Sequence, residues 1–178
     1  AVQTPQGAGD FVVATDNSAG YSYNPGGGTL LFSQPGSYAV SMKSGITKTT
    51  SGRIQVNGGT SAEPIRITLS DVGIQSASCA FELQGSSYVH LLLAGGTTST
   101  LTSGKEYAGI QCGGGATLVI DGPGELRANG GAAGAGIGNG IVGDGGTICI
   151  NSGIVIARGG NAAALYNGGA GIGGGYYG

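Results

Sequence analysis

The chain has no tryptophan, one methionine and one histidine, and only 9% of its 178 residues are charged. The seven Lys and Arg residues form no run and the net charge is −2. A basic stripe for nucleic acid or an anionic membrane is therefore absent, and neither is expected as a partner. No apolar run reaches the roughly 18 residues that a membrane-spanning helix needs. The cysteine count is three, so complete disulfide pairing is excluded. With His90 as the single histidine and no partner in view, neither a Ser-His-Asp triad nor a His-based metal site is expected. The Gly-rich stretches lack a following Gly-Lys-Ser/Thr and are not phosphate loops.

What the chain has in abundance is glycine, 41 residues, beside 39% hydrophobic residues. The hydrophobic residues fall in regular clusters with Gly between them, where tight turns need positive φ. That arrangement excludes a disordered linker, and the lack of a Gly-X-Y period excludes collagen. Richness in Ser, Thr, Asn and Gly suits a secreted or surface protein. An opening Ala1 in place of Met fits a removed signal peptide or a trimmed chain.

The clusters repeat. Ile54, Phe81, Ile110, Ile137 and Ile172 recur at steps of 27, 29, 27 and 35 residues. Each is followed by a turn, a second apolar run, another turn and a third short run. A period of this size in a Gly-rich, β-branched chain marks a solenoid, whose coils cannot bury their apolar faces alone. The predicted fold is all-β: a right-handed parallel β-helix of about five to six coils, each with three short strands.

Alternation predicts the inward columns. The five pivots form one stack and Val56, Leu83 and Cys112 the next, with Gln55, Glu82 and Gln111 pointing outward. The second strand supplies two stacks, from Ile67 and Leu69 through Leu91 and Leu93, Leu118 and Ile120, to Ile148 and Ile150. The third supplies Ile74, Leu101, Leu126 and Ile156. Cys79 and Cys112 fall at opposite ends of one strand column, ~13 Å apart and beyond disulfide reach, so all three thiols are expected to be free.

The whole of residues 1–178 reads as one domain, with 1–28 an irregular N-terminal coil or cap and 53–178 the regular coils. Phe11, Tyr21 and Tyr23 are expected to cover the open end of the core. Residues 29–38 match 117–126 position by position, with a shared Pro-Gly turn. Residues 43–51 are polar and read as a protruding loop. The segment 171–178 starts a coil that is left incomplete, and such an uncapped parallel edge is a template for further pairing.

Candidate functional residues fall into three groups. Tyr88, Tyr107, Tyr166, Tyr176 and Tyr177 lie in turns or coil edges. Aromatic faces in a shallow groove bind sugar rings; the alternative is that they cover the core at corners with their hydroxyls wet. Asp71 and Glu82, in successive coils, are the candidate ligands for a calcium ion, although no cofactor is required. Leu92, Val119 and Cys149 alternate against the inward residues of the second strand, with Leu31 as an extension. They form either a contact surface or the floor beneath a covering loop such as 43–51. Glu125 and Arg127 flank Leu126 and read as a surface ion pair.

The runs Ala135-Gly136-Ile137-Gly138 and Ala170-Gly171-Ile172-Gly173-Gly174-Gly175 resemble the AGIGGG coils of bacterial surface proteins with repeated right-handed β-helix domains. The stretch 145–160, reading GGTICINSGIVIARGG, is similar to the run that precedes such coils. The arrangement also resembles the clostridial carbohydrate-binding β-helix family. That resemblance implies a pectin-lyase-like shape that binds acidic polysaccharide and calcium without cleaving it. The expected function is a non-catalytic, extracellular module for adhesion or glycan binding at a bacterial surface. A subunit that self-assembles by stacking into a fibre or array is the second expectation, and a polysaccharide lyase the third.

Overall fold

A computed structural model describes residues 6–161 and 167–177 of the chain. Its strands are β1 (Gln6–Ala8), β2 (Phe11–Thr15), β3 (Tyr21–Asn24), β4 (Thr29–Phe32), β5 (Gly36–Met42) and β6 (Arg53–Val56). They continue as β7 (Ile65–Ser70), β8 (Gly73–Gln75), β9 (Phe81–Leu83), β10 (Tyr88–Leu93), β11 (Thr98–Thr102) and β12 (Ile110–Cys112). The last are β13 (Thr117–Asp121), β14 (Glu125–Asn129), β15 (Ile137–Gly138), β16 (Thr147–Ile150), β17 (Ile154–Arg158) and β18 (Ile172–Gly173). The single helical turn among the described residues is Ser18–Gly20.

These strands form three walls. The first wall runs β3-β4-β6-β9-β12-β15-β18, the second β1-β2-β5-β7-β10-β13-β16, and the third β8-β11-β14-β17. From β4 and β5 onward neighbouring strands pair in parallel, coil upon coil. The chain is a parallel β-helix of about four turns, as the four strands of its third wall show. The count falls below the expected five to six because the first strands do not wind as a coil. β1 pairs antiparallel with β2, β2 with β5, and β3 with β4.

The pivot stack is present as expected. Ile54 pairs with Phe81, Phe81 with Ile110, Ile110 with Ile137 and Ile137 with Ile172. Val56, Leu83 and Cys112 form the next column. Ile54, Phe81, Ile110 and Ile137 are all fully buried. At the N-terminal end Phe11 is buried, and Tyr21 packs with its ring centroid 6.2 Å from that of Phe32 and 6.3 Å from that of Tyr38.

Elsewhere the register differs from the sequence expectation. On the second wall the columns are Ile65-Val89-Leu118-Ile148 and Ile67-Leu91-Ile120-Ile150, so the later coils slip by two residues. A two-residue slip keeps every side chain on its face, which is why alternation alone could not detect it. On the third wall Ile74, Leu101, Ala128 and Ala157 share a column, while Leu126 stacks with Ser99 and Val155. Ile156 pairs with Arg127 and faces outward; the inward residue is Val155.

The N-terminal match was displaced by one wall. β4 pairs with β6 on the first wall, whereas Thr117–Asp121 lies on the second. The Pro-Gly turn serves two different corners, since its local geometry says nothing about which walls it joins. Residues 43–48 are exposed, as a protruding loop requires, at the corner between the second and third walls, and the segment turns inward at Thr49. Thr49 bridges to Ile74, is 1% exposed, and extends the third wall. Its Oγ1 donates to Asp10 Oδ2 at 2.5 Å and accepts from Gly52 N–H at 2.9 Å.

Candidate functional site

The three residue groups singled out from sequence end up in different places. Leu92, Val119 and Cys149 all face outward on the second wall, but not in one column. Val119 stacks between His90 and Cys149, and Leu92 between Thr68 and Asp121. Neighbours bury Val119 to 8% exposure, whereas Cys149 is exposed and donates to Asn151 Oδ1 at 3.1 Å. Leu31 belongs to the first wall and cannot extend this patch.

Asp71 and Glu82 do not come together. Asp71 occupies the corner between β7 and β8, where its Oδ1 accepts from Thr98 N–H at 3.0 Å. Glu82 stands on the outer face of the first wall, accepting from Gln55 Nε2 at 2.6 Å and facing Arg53 at 3.9 Å. The calcium pair inferred from adjacent coils fails because adjacency along the solenoid does not place residues on one wall. Among the described residues no group of three or more His, Cys, Asp or Glu side chains gathers at one point. Glu125 and Arg127 form the expected surface ion pair at 2.5 Å.

The tyrosines divide more informatively. Tyr88 opens β10 on the second wall with its ring centroid 5.8 Å from that of His90. Tyr166 lies outside the described residues. Tyr107, Tyr176 and Tyr177 gather at the corner that leads from the third wall to the first. Ile141 N–H donates to Glu106 O, and Tyr177 N–H donates to Ile141 O, both at 2.9 Å. Val142 and Tyr177 form a further bridge. The late segment is thereby laid beside Glu106 and Tyr107. The Tyr176 and Tyr177 ring centroids are 4.1 Å apart, and Tyr177 is 67% exposed.

A cavity of about 220 Å3 opens at this corner. Tyr107, 38% exposed, lines it with Ile141 and Val142 on the apolar side and Glu106, Gln111 and Asn139 on the polar side. Asn139 is held firmly: its Nδ2 donates to Asp144 O at 3.1 Å and its Oδ1 accepts from Gly140 N–H at 2.9 Å. Glu106 sits at φ 73°, in the left-handed region that few non-Gly residues adopt, and pairs with Lys105 at 3.0 Å. Gln111 continues the outward column of Gln55 and Glu82 into the cavity wall. Its Oε1 is buried and has no hydrogen-bond partner.

An unpaired buried acceptor costs about 1–3 kcal/mol, a cost that a donated hydrogen bond removes. The terminal torsion of Gln is broad, which leaves the carboxamide free to turn toward a donor. An exposed aromatic ring, an apolar rim and several carboxamide and carboxylate oxygens suit a ligand with both C–H faces and hydroxyl donors. Sequence reasoning had found Tyr107. It missed Gln111 and Asn139 as partners because these residues approach only when coils stack.

No family model matches the chain, and neither a curated protein nor a solved structure matches it.

Proposed function

We propose that the chain is a non-catalytic, extracellular β-helix module that binds glycans, in adhesion at a bacterial surface. The observation that carries this reading is the pairing of an exposed Tyr107 ring with the unpartnered Gln111 Oε1 in one cavity. A sugar ring offers its C–H face to the tyrosine and a hydroxyl to the carboxamide. The resemblance to carbohydrate-binding β-helices supports the same class. Wild-type protein and Tyr107→Ala, applied to one glycan array, test it. Glycan signals that disappear in the folded variant support the reading. A wild-type protein with no signal, or signals unchanged in Tyr107→Ala, sinks it.

A further inference from the structure

A trench crosses the corner between the second and third walls, and its cause is a difference in corner length. Ala39, Thr68, Leu92 and Asp121 occupy one outward column of the second wall. Thr49, Ile74, Leu101 and Ala128 occupy one inward column of the third. From the first column to the second, the chain takes ten residues in the coil of Ala39 and Thr49, then six, nine and seven in the coils that follow. The second of these coils takes the shortest path and lies recessed between two longer corners. Its banks are two coil spacings apart, about 10 Å.

Asp71 makes the short corner with φ 51°. Its Oδ1 accepts from Thr98 N–H at 3.0 Å, which fixes the carboxylate on the exposed floor. Gly73 continues the floor because the bank lies directly on it: a Cβ there would meet Thr47 O at 2.2 Å. The depression has a volume of about 510 Å3 beside Met42, Ile46 and Ser70. It continues for about 260 Å3 along Thr100 and Thr102, with Thr47, Asp71 and Thr98 common to both parts. Lys48, the cation among the residues lining the depression, donates to Gln75 Oε1 at 2.6 Å.

We propose that this trench binds one chain of a neutral polysaccharide, at a site separate from the Tyr107 cavity. The Thr and Ser hydroxyls and the fixed Asp71 carboxylate complement sugar hydroxyls, since one accepted bond leaves a carboxylate with spare acceptor capacity. Met42 and Ile46 meet the C–H faces at one end. The carboxylate repels uronates and sulfated sugars, and Lys48 is already engaged. The proposal shares its ligand class with the glycan-binding reading and uses none of that cavity's residues.

The test is amide NMR of the labelled 178-residue chain titrated with cellohexaose, maltohexaose, mannohexaose and hexagalacturonate. Three variants accompany it: Asp71→Asn, Ile46→Asp and Tyr107→Ala. Asn tolerates positive φ and keeps an acceptor for Thr98 N–H, and Ile46 is exposed, so both trench variants retain the fold. A neutral hexasaccharide is expected to shift the Ser70, Asp71 and Thr98 amides in wild type and in Tyr107→Ala alike. Asp71→Asn and Ile46→Asp should each weaken that binding roughly tenfold. Shifts confined to the Tyr107 corner overturn the trench and leave the glycan-binding reading standing. Trench shifts with hexagalacturonate alone overturn the neutral class, and no shift with any of the four overturns the proposal.

Discussion

The Ser99 hydroxyl accepts the Val72 backbone N–H at 3.1 Å inside the solenoid, where Ser99 is 1% exposed. Ser87 and Ser103 do the same for Gly58 N–H at 3.0 Å and Ala80 N–H at 2.8 Å. Each hydroxyl serves a backbone donor of the preceding coil next to a corner, where the strand ladder is interrupted. Buried donors need partners, and these three serines supply them without breaking the column of side chains. Ser99→Ala should therefore destabilise the fold by about 1–3 kcal/mol, more than its single missing oxygen would suggest. Urea unfolding of the variant beside wild type measures this, and a midpoint unchanged within error rejects the role.

A second expectation concerns the corner from the third wall to the first. A Cβ on Gly131 would lie 1.7 Å from Gly104 O, so the coils touch backbone to backbone there. Gly131→Ala cannot be absorbed by moving a flexible side chain. A loss on the order of 3 kcal/mol or more is expected, by the same reasoning that makes overpacking costly. Thermal and urea unfolding should show it, with Ala introduced at the open position Gly145, where nothing lies within 4 Å and φ is not positive, as the comparison.

The thiols should respond to pH and to reagents in opposite halves of one experiment. Burial, reinforced by the charge of Glu82, pushes the Cys79 thiol from 9.0 up to about 12. Burial raises Cys112 to about 11. A raised folded pKa means that the folded state holds its proton longer than the unfolded chain. The resulting stability is fully present below pH 9 and is lost as pH climbs from there toward 11–12. Cys79→Ala should show a shallower alkaline decline in its urea midpoint than wild type. At neutral pH iodoacetamide should modify Cys149 alone in the native protein and all three cysteines in denaturant. Native labelling of Cys79 would contradict its placement in the core.

How far the sequence could be read depends on which interaction sets each feature. The pivot column was legible because Ile54, Phe81, Ile110 and Ile137 recur at near-even steps of 27, 29 and 27 residues, each bounded by turn residues, and a coil of nearly constant length returns them to one wall. Leu126 and Ile156 were misplaced because the corners before them vary in length, and a shift of one or two residues changes the partner or the face. The tyrosine group was half legible. Tyr107 has the residue type for sugar contact, but its neighbours Gln111 and Asn139 arrive from later in the chain. The trench was not legible at all, since it is the absence of residues at one corner relative to the coils on either side.

Taken alone, the order of residues determined that this chain winds into stacked β coils with Gly at its turns and thiols left unpaired. The reason is local: strand alternation and turn preference act over a few neighbours. Which side chains share a column, which corner is recessed, and where Asp71, Glu82 and Tyr107 lie were decided only when coils met. Hydrogen bonds between coils fix that register, and they pair residues 24 or more positions apart.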